Sequence, residues 1–162
     1  NVKVLLNPSP AADIPDEVLA ATDILVPNEH EAEALMGCTP DGDALKAYCA
    51  RKGIGRIVMT MGSHGVWNAT RDEAIFYPCK KAVAVGTGQQ RLLMTLDPLE
   101  PVNTTGAGDC FLGALAAHLA NGHDIDAAIR FAMAASAITV TRAGAQKAMP
   151  TLDEVNAAMA KA

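Results

Sequence analysis

The residues Gly106-Ala107-Gly108-Asp109 combine small side chains, which let a chain turn tightly, with one carboxylate. An apolar, helix-forming stretch follows at once, so the string predicts a helix that begins near Asp109 and presents backbone amides at its start. Such a terminus suits an anion, because the amides donate hydrogen bonds and the helix dipole favours negative charge. Glycine lets the backbone come close to a phosphate. Asp109 falls on the first turn, where it can take a proton from a hydroxyl brought to the same spot. A cradle and a base are what phosphoryl transfer asks of a protein, which must position groups and stabilise charge more than form bonds. The plainer alternative is a tight glycine turn with Asp109 as a helix cap, and four residues alone do not decide between them.

The elements that must hold these residues are readable in outline. Val2 to Leu6 reads as a core strand broken by Asn7-Pro8-Ser9-Pro10, which implies a segment preceding it. Pro15 to Ala21 reads as a short helix and Asp23 to Val26 as a strand stopped by Pro27. Glu29 to Met36 and Gly42 to Lys52 are helical, each ending at a glycine, and Arg56 to Thr60 is a strand. This rhythm predicts a parallel α/β sheet. Val66 to Thr70 and Ala74 to Tyr77 follow as an antiparallel hairpin, and Cys79 to Pro101, with Gly86 to Gln90 as a loop, is the least regular stretch. The last third is helical over Asp109 to Asn121 and Asp124 to Thr139. Thr151-Leu152-Asp153-Glu154 then forms a capping box that opens a terminal helix. With no repeat and no low-complexity linker, residues 1–162 read as one domain.

Composition narrows the function classes. Of 162 residues half are apolar and only 4% aromatic, so packed helices on a sheet are expected rather than a stacking surface. A formal charge of −5 without any basic run argues against a nucleic-acid or membrane-surface partner. Cys38, Cys49, Cys79 and Cys110 show no metal-ligand spacing and suit a reducing compartment, as four free thiols. His30, His64, His118 and His123 share no ligand spacing, so none is assigned to a metal. No signal peptide or membrane span is evident, and a cytoplasmic enzyme is the expectation.

Several ordered motifs give the chain a family likeness. Thr104-Thr105-Gly106-Ala107-Gly108-Asp109 before a glycine-containing apolar helix closely resembles the second signature of the PfkB carbohydrate kinases, whose type member is ribokinase. Asn7-Pro8-Ser9-Pro10-Ala11, Pro27-Asn28-Glu29-His30-Glu31-Ala32-Glu33 and Thr60 to Trp67 resemble further family segments. So do Ala128 to Ala132 and Val140 to Gln146; only about Cys79 to Pro101 falls outside the likeness. The resemblance implies the C-terminal part of a ribokinase-like three-layer α/β sandwich, with a mostly parallel central sheet flanked by helices. It implies transfer of the ATP γ-phosphoryl group to a sugar hydroxyl, the ribose 5-hydroxyl first. Fructokinase, 2-keto-3-deoxygluconate kinase, nucleoside kinase or a non-catalytic nucleotide-binding module are the alternatives.

By the same resemblance Gly106, Ala107 and Gly108 form the anion hole and Asp109 is the base. Asn28 lies near the nucleotide phosphates and Glu31 near Mg2+. Thr60, Met61, Gly62, Ser63, His64 and Gly65 wrap the nucleotide, and Met133 touches adenine. Each has a structural alternative: Asn28 as a helix cap, Glu31 as a solvated first-turn carboxylate, Gly62 and Gly65 as turn formers, Met133 as core filler. A monovalent-cation site is implied from Asn103 and Thr105 together with Thr139, Arg142, Gly144 and Ala148. Here the chain departs from the family, with Asn103 where Asp is usual and Ala148 where ribokinases often carry Ser. Fewer anionic and hydroxyl oxygens put K+ activation in doubt. The family's other half, with its Gly-Gly motif, most sugar contacts and the β lid through which a homodimer would form, is not in these residues. The 162-residue chain alone is therefore expected to be inactive.

Overall fold

A computed structural model describes residues 2–79 and 101–160, so the Gly86 to Gln90 loop lies outside the described residues. The chain divides into two compact units, Asn1–Pro78 and Cys79–Ala162.

The first unit is α/β. Its strands are β1 (Leu5–Leu6), β2 (Ile24–Leu25), β3 (Arg56–Thr60), β4 (Gly65–Ala69) and β5 (Ala74–Pro78), and its helices are α1 (Asp16–Ala20), α2 (Glu29–Met36) and α3 (Gly42–Lys52). The strands lie in chain order across one sheet. Leu5 pairs with Ile24 and Ile24 with Arg56 in parallel, whereas β3–β4 and β4–β5 are antiparallel, with Trp67 opposite Met59 and Phe76. The sheet is thus mixed, with the parallel rhythm read from the sequence confined to β1–β3 and the expected hairpin completing it.

Leu19, Leu25, Leu45, Tyr48, Cys49, Ile54, Ile57 and Met59 form the core that joins helices and sheet. Leu45, Tyr48 and Cys49 are the apolar face foreseen on α3, whose N-terminus is capped by Asp41 accepting from the Ala44 amide at 2.8 Å. Burial pushes the Cys49 thiol up to about 11, which leaves it an inert core group.

Two expectations shift. Strand geometry begins at Leu5, not Val2, because the Asp23 carboxylate accepts the Val4 amide at 2.8 Å in place of a neighbouring strand's carbonyl. The first strand of the hairpin begins at Gly65, not Val66. Gly65 has φ 141°, and a Cβ there would stand 2.1 Å from the Tyr77 carbonyl oxygen and 2.9 Å from Pro78 Cα. Backbone, not a flexible side chain, occupies that space, so only glycine lets β5 pair at this point.

The second unit is helical among the described residues: α4 (Ala107–Ala120), α5 (Ile125–Thr139), a short 3-10 turn (Gln146–Ala148) and α6 (Leu152–Ala160). Helix α4 starts two residues before the expected Asp109. Asp124 caps α5 by accepting from the Ala127 amide at 2.8 Å. The capping box at α6 is present: Thr151 Oγ1 accepts from the Glu154 amide at 3.3 Å, and Glu154 Oε2 accepts from the Thr151 amide at 2.8 Å. Cys110, Phe131, Ala134, Ala135 and Val155 form a small core drawn from all three helices.

Gly65→Ala is expected to cost about 2–5 kcal/mol, joining overpacking against backbone with strain at a positive φ. Urea unfolding checks this. An unchanged midpoint would mean that β4 and β5 separate freely to admit a methyl group.

Candidate active site

In the first unit the expected nucleotide residues gather where the parallel strands end. The Thr60 amide donates to the Pro27 carbonyl at 3.0 Å, and Asn28, beyond the end of β2, forms a parallel bridge with Thr60, the last residue of β3. Asn7, just past β1, joins the same edge by donating from Nδ2 to the Val26 carbonyl at 2.7 Å. Ligands of open α/β sheets sit outside the carboxyl ends of parallel strands, which is the edge these residues occupy.

Asn28 and Glu31 cap α2 reciprocally. Asn28 Oδ1 accepts from the Glu31 amide at 2.9 Å, and Glu31 Oε2 accepts from the Asn28 amide at 2.8 Å. The capping alternative for Asn28 is therefore realised. Glu31, however, is not the solvated carboxylate of the other alternative: it is 8% exposed. From Thr60 the chain runs into a tight turn over Met61, Gly62, Ser63 and His64. The Met61 amide donates to the Gly65 carbonyl at 2.9 Å and the His64 amide to the Met61 carbonyl at 3.0 Å. The His64 ring, exposed, folds back with Nδ1 3.2 Å from the Met61 carbonyl. Gly62 and Gly65 both have positive φ, as turn formers do.

In the second unit the expected anion hole is the N-terminus of α4. Its cap residue is Gly106, at φ 80°, with no side chain to satisfy the amides that follow. A Cβ on Gly106 would meet Ala145 Cα at 3.5 Å, whereas Gly108 faces open space. The Ala107 amide is taken by the Thr104 carbonyl at 3.2 Å, which leaves Gly108 and Asp109 as the first-turn donors beyond it. Asp109 is exposed on that turn, the third residue of the helix. It is not the cap, although the tight glycine turn of the plainer reading is present at Gly106. Ser136 Oγ donates to the Ala107 carbonyl at 3.1 Å and ties α5 to this terminus.

The loop before α4 is held by the segment after α5. The amides of Val102 and Asn103 both donate to the Val140 carbonyl, at 2.8 and 3.3 Å, and Asn103 Oδ1 accepts from the Thr105 amide at 2.8 Å. This contact and that between Gly106 and Ala145 bring Asn103 and Thr105 to the segment holding Arg142 and Gly144. The donor set is poor for a cation. Asn103 spends its oxygen on Thr105, the Thr139 carbonyl accepts from the Arg142 amide at 3.1 Å, and the Thr139 hydroxyl donates to Ala135. Ala148 is fully buried and offers only a methyl group. Met133 is half-buried on α5 between the buried Ala132 and Ala134.

Two arrangements were not foreseen from the sequence. Arg142 makes a two-pronged bond to Glu154 at 2.7 and 3.3 Å, and this guanidinium holds the Glu154 carboxyl down at about 2. His118 stacks on His123, with centroids 3.9 Å apart, and on Phe131 at 4.2 Å. Burial and then the His123 charge lower the His118 pKa. Among the described residues no group of three or more His, Cys, Asp or Glu could hold a metal, and no helix is long and apolar enough to cross a membrane.

Residues 1–152 match the family described as pfkB family carbohydrate kinase. The chain belongs to that family. It is 37% identical over 155 residues to a ribokinase of Bacillus subtilis, an alignment covering 96% of this chain and 45% of the relative. A crystal structure of a ribokinase from Thermotoga maritima superposes with a TM-score of 0.81 at 32% identity, over 99% of this chain and 50% of that one. A ribokinase of Arabidopsis thaliana, complexed with ribose and ATP, gives 0.79 at 30% identity, over 98% of this chain and 47% of its own. The ribokinase-like α/β fold is thereby established for this PfkB chain, which spans about half the length of the relatives it matches.

The depleted donor set around Asn103 generates a prediction for the protein that carries this chain. Its activity should depend only weakly on K+, because neutral carbonyls already engaged in hydrogen bonds bind a hard cation poorly. Titration with K+ against a constant ionic strength held by choline checks this. Steep activation at low millimolar K+ would show that the carbonyls suffice.

Proposed function

We propose that residues 1–162 are the nucleotide-handling and catalytic half of an ATP-dependent sugar kinase whose acceptor is D-ribose, phosphorylated on its 5-hydroxyl. One observation carries the reading: in a PfkB chain, α4 begins with an uncapped glycine and presents an exposed carboxylate, Asp109, on its first turn. The likeness to ribokinases over most of this chain supports ribose over fructose, 2-keto-3-deoxygluconate or a nucleoside.

In this reading Asp109 removes the proton of the acceptor hydroxyl as its oxygen attacks the γ-phosphorus, and the bond from phosphorus to the ADP oxygen breaks. Of the anion-hole residues Gly106, Ala107 and Gly108, the Gly108 amide would face the transferring phosphoryl group, since the Ala107 amide is engaged by the Thr104 carbonyl, and the helix dipole adds to the pull on its growing charge. Thr60 to Gly65 hold the nucleotide, Met133 contacts adenine and Asn28 orients the phosphates. Mg2+, when bound, offsets phosphate charge. A single carboxylate such as Glu31 suits it, since Mg2+ keeps most of its shell as water and phosphate oxygen. Glu31 would serve through the oxygen that does not accept from Asn28. K+ would at most be held weakly, by Asn103 and the neighbouring carbonyls. The acceptor site, the lid and a homodimer contact through that lid are proposed to come from outside these residues, in a cytoplasmic enzyme.

Replacing Asp109 by Asn in the full-length protein is expected to lower kcat by about 10²- to 10⁴-fold, the range for losing a general base. KM for ATP should move far less, because the amides and fold persist. A variant with near-parental kcat would remove Asp109 from the chemistry, and a parent without sugar-dependent ADP release would favour a nucleotide-binding module.

The 162-residue chain by itself is expected to give no ribose-dependent ADP in a coupled assay. Holding the acceptor in line with the phosphoryl group supplies about 7–11 kcal/mol of a barrier, and the residues proposed to do so lie elsewhere. A normal enzymatic rate from the fragment would show that the sugar site is built within it.

A further inference from the structure

The proposed chemistry uses neither the side chain of Arg142 nor Glu154, yet the two make a two-pronged ion pair in the second unit. Arg142 Nη2 lies 2.7 Å from Glu154 Oε1 and Nη1 lies 3.3 Å from Oε2. Oε2 also accepts from the Thr151 amide at 2.8 Å, so one carboxylate starts α6 and grips Arg142 together. Arg142 belongs to the segment that meets the loop before α4 twice. The Val140 carbonyl takes the amides of Val102 and Asn103, and Ala145 lies 3.5 Å from where a Gly106 side chain would begin. The next residue of α6, Val155, is 2% exposed and packs in the cluster that contains Cys110, the neighbour of Asp109.

We propose that Glu154 is a positioning residue: through Arg142 it fixes the segment 140–145, and thereby the backbone amides at the start of α4. The first turn of α6 thus braces the cradle from two sides, by an ion pair against the loop and by Val155 against the helix. Geometry is why an exposed pair can do this. Two parallel bonds to a planar guanidinium set direction as well as distance, which a single Lys–carboxylate contact does not. The inference rests on the reading of the α4 N-terminus as the phosphate site, and its test separates the two.

The measurement is amide hydrogen exchange in the full-length protein, with ATP kinetics on the same samples. Glu154→Gln keeps the shape and one hydrogen bond but loses the charge. It is expected to speed exchange of the hydrogen-bonded amides of Val102, Asn103, Thr105 and Ala107 by about 2- to 5-fold, the size an exposed but two-pronged pair supports. Buried α5 amides at Ala132–Ala135 should not change. KM for ATP should rise by a similar factor, with kcat falling less. The exchanged pair Arg142→Glu with Glu154→Arg should return much of both losses, which a purely structural effect of either substitution would not do. Faster exchange confined to α6, or rising equally everywhere, would overturn the proposal, since the pair would then tether α6 or stabilise the whole unit. If the parent protein does not phosphorylate a sugar, the kinase reading fails while the exchange data still decide whether Glu154 orders residues 103–109.

Discussion

Every helix leaves amides at its start that no earlier turn can satisfy, and the two halves of this chain treat that constraint in opposite ways. Helix α2 closes its terminus on itself: Asn28 and Glu31 exchange side-chain bonds with each other's amides. Helix α4 begins on a glycine with positive φ and no side chain to give. The first arrangement produces rigidity at the edge of a sheet. The second keeps donors available to an outside anion, and the cost of leaving them so is met by supports placed around them: Ser136 on the Ala107 carbonyl, Val140 on the preceding loop, and Ala145 against Gly106. A terminus left open must be held from behind.

That contrast explains which parts of the site were legible in the sequence. Turn and cap chemistry is local, and so are its signals. Gly106 to Asp109 announced the start of α4 to within two residues, Asp124 the start of α5, and Thr151 with Glu154 the box at α6. The hairpin and the α/β rhythm followed from apolar periodicity and the breaks between runs, whereas the ribokinase-like architecture came from the family resemblance. The spacing Asn28-x-x-Glu31 is itself a capping-box signature, and reading each residue apart hid their partnership.

Contacts that depend on how helices cross were not legible. Arg142 meets Glu154 only because α5, a turn and α6 bring distant residues together, and no spacing rule encodes that angle. The stack of His118 on His123 needs the chain to reverse after α4, so a search for metal-ligand spacing passed over it. Apolar character misled at the other extreme. Val2 and Val4 look like strand interior, yet strand geometry starts at Leu5, and the Asp23 carboxylate takes the Val4 amide that a strand would have used.

The order of strands in the first unit has a bearing on how this chain reaches its fold. Because the described strands β1 to β5 pair in the order in which they are made, each of β2 to β5 emerges from the ribosome with one partner already present. The antiparallel β3–β4 and β4–β5 pairings close short turns, whereas the parallel pairings of Leu5 with Ile24 and of Ile24 with Arg56 must wait for a whole crossover to be made. The hairpin is thus the local part of this sheet, and the parallel pairs are the part that leaves a strand edge open for longer. The hairpin that ends the sheet, with Gly65 admitting β5 against β4, would then be the last local step before the helices of the second unit are even complete.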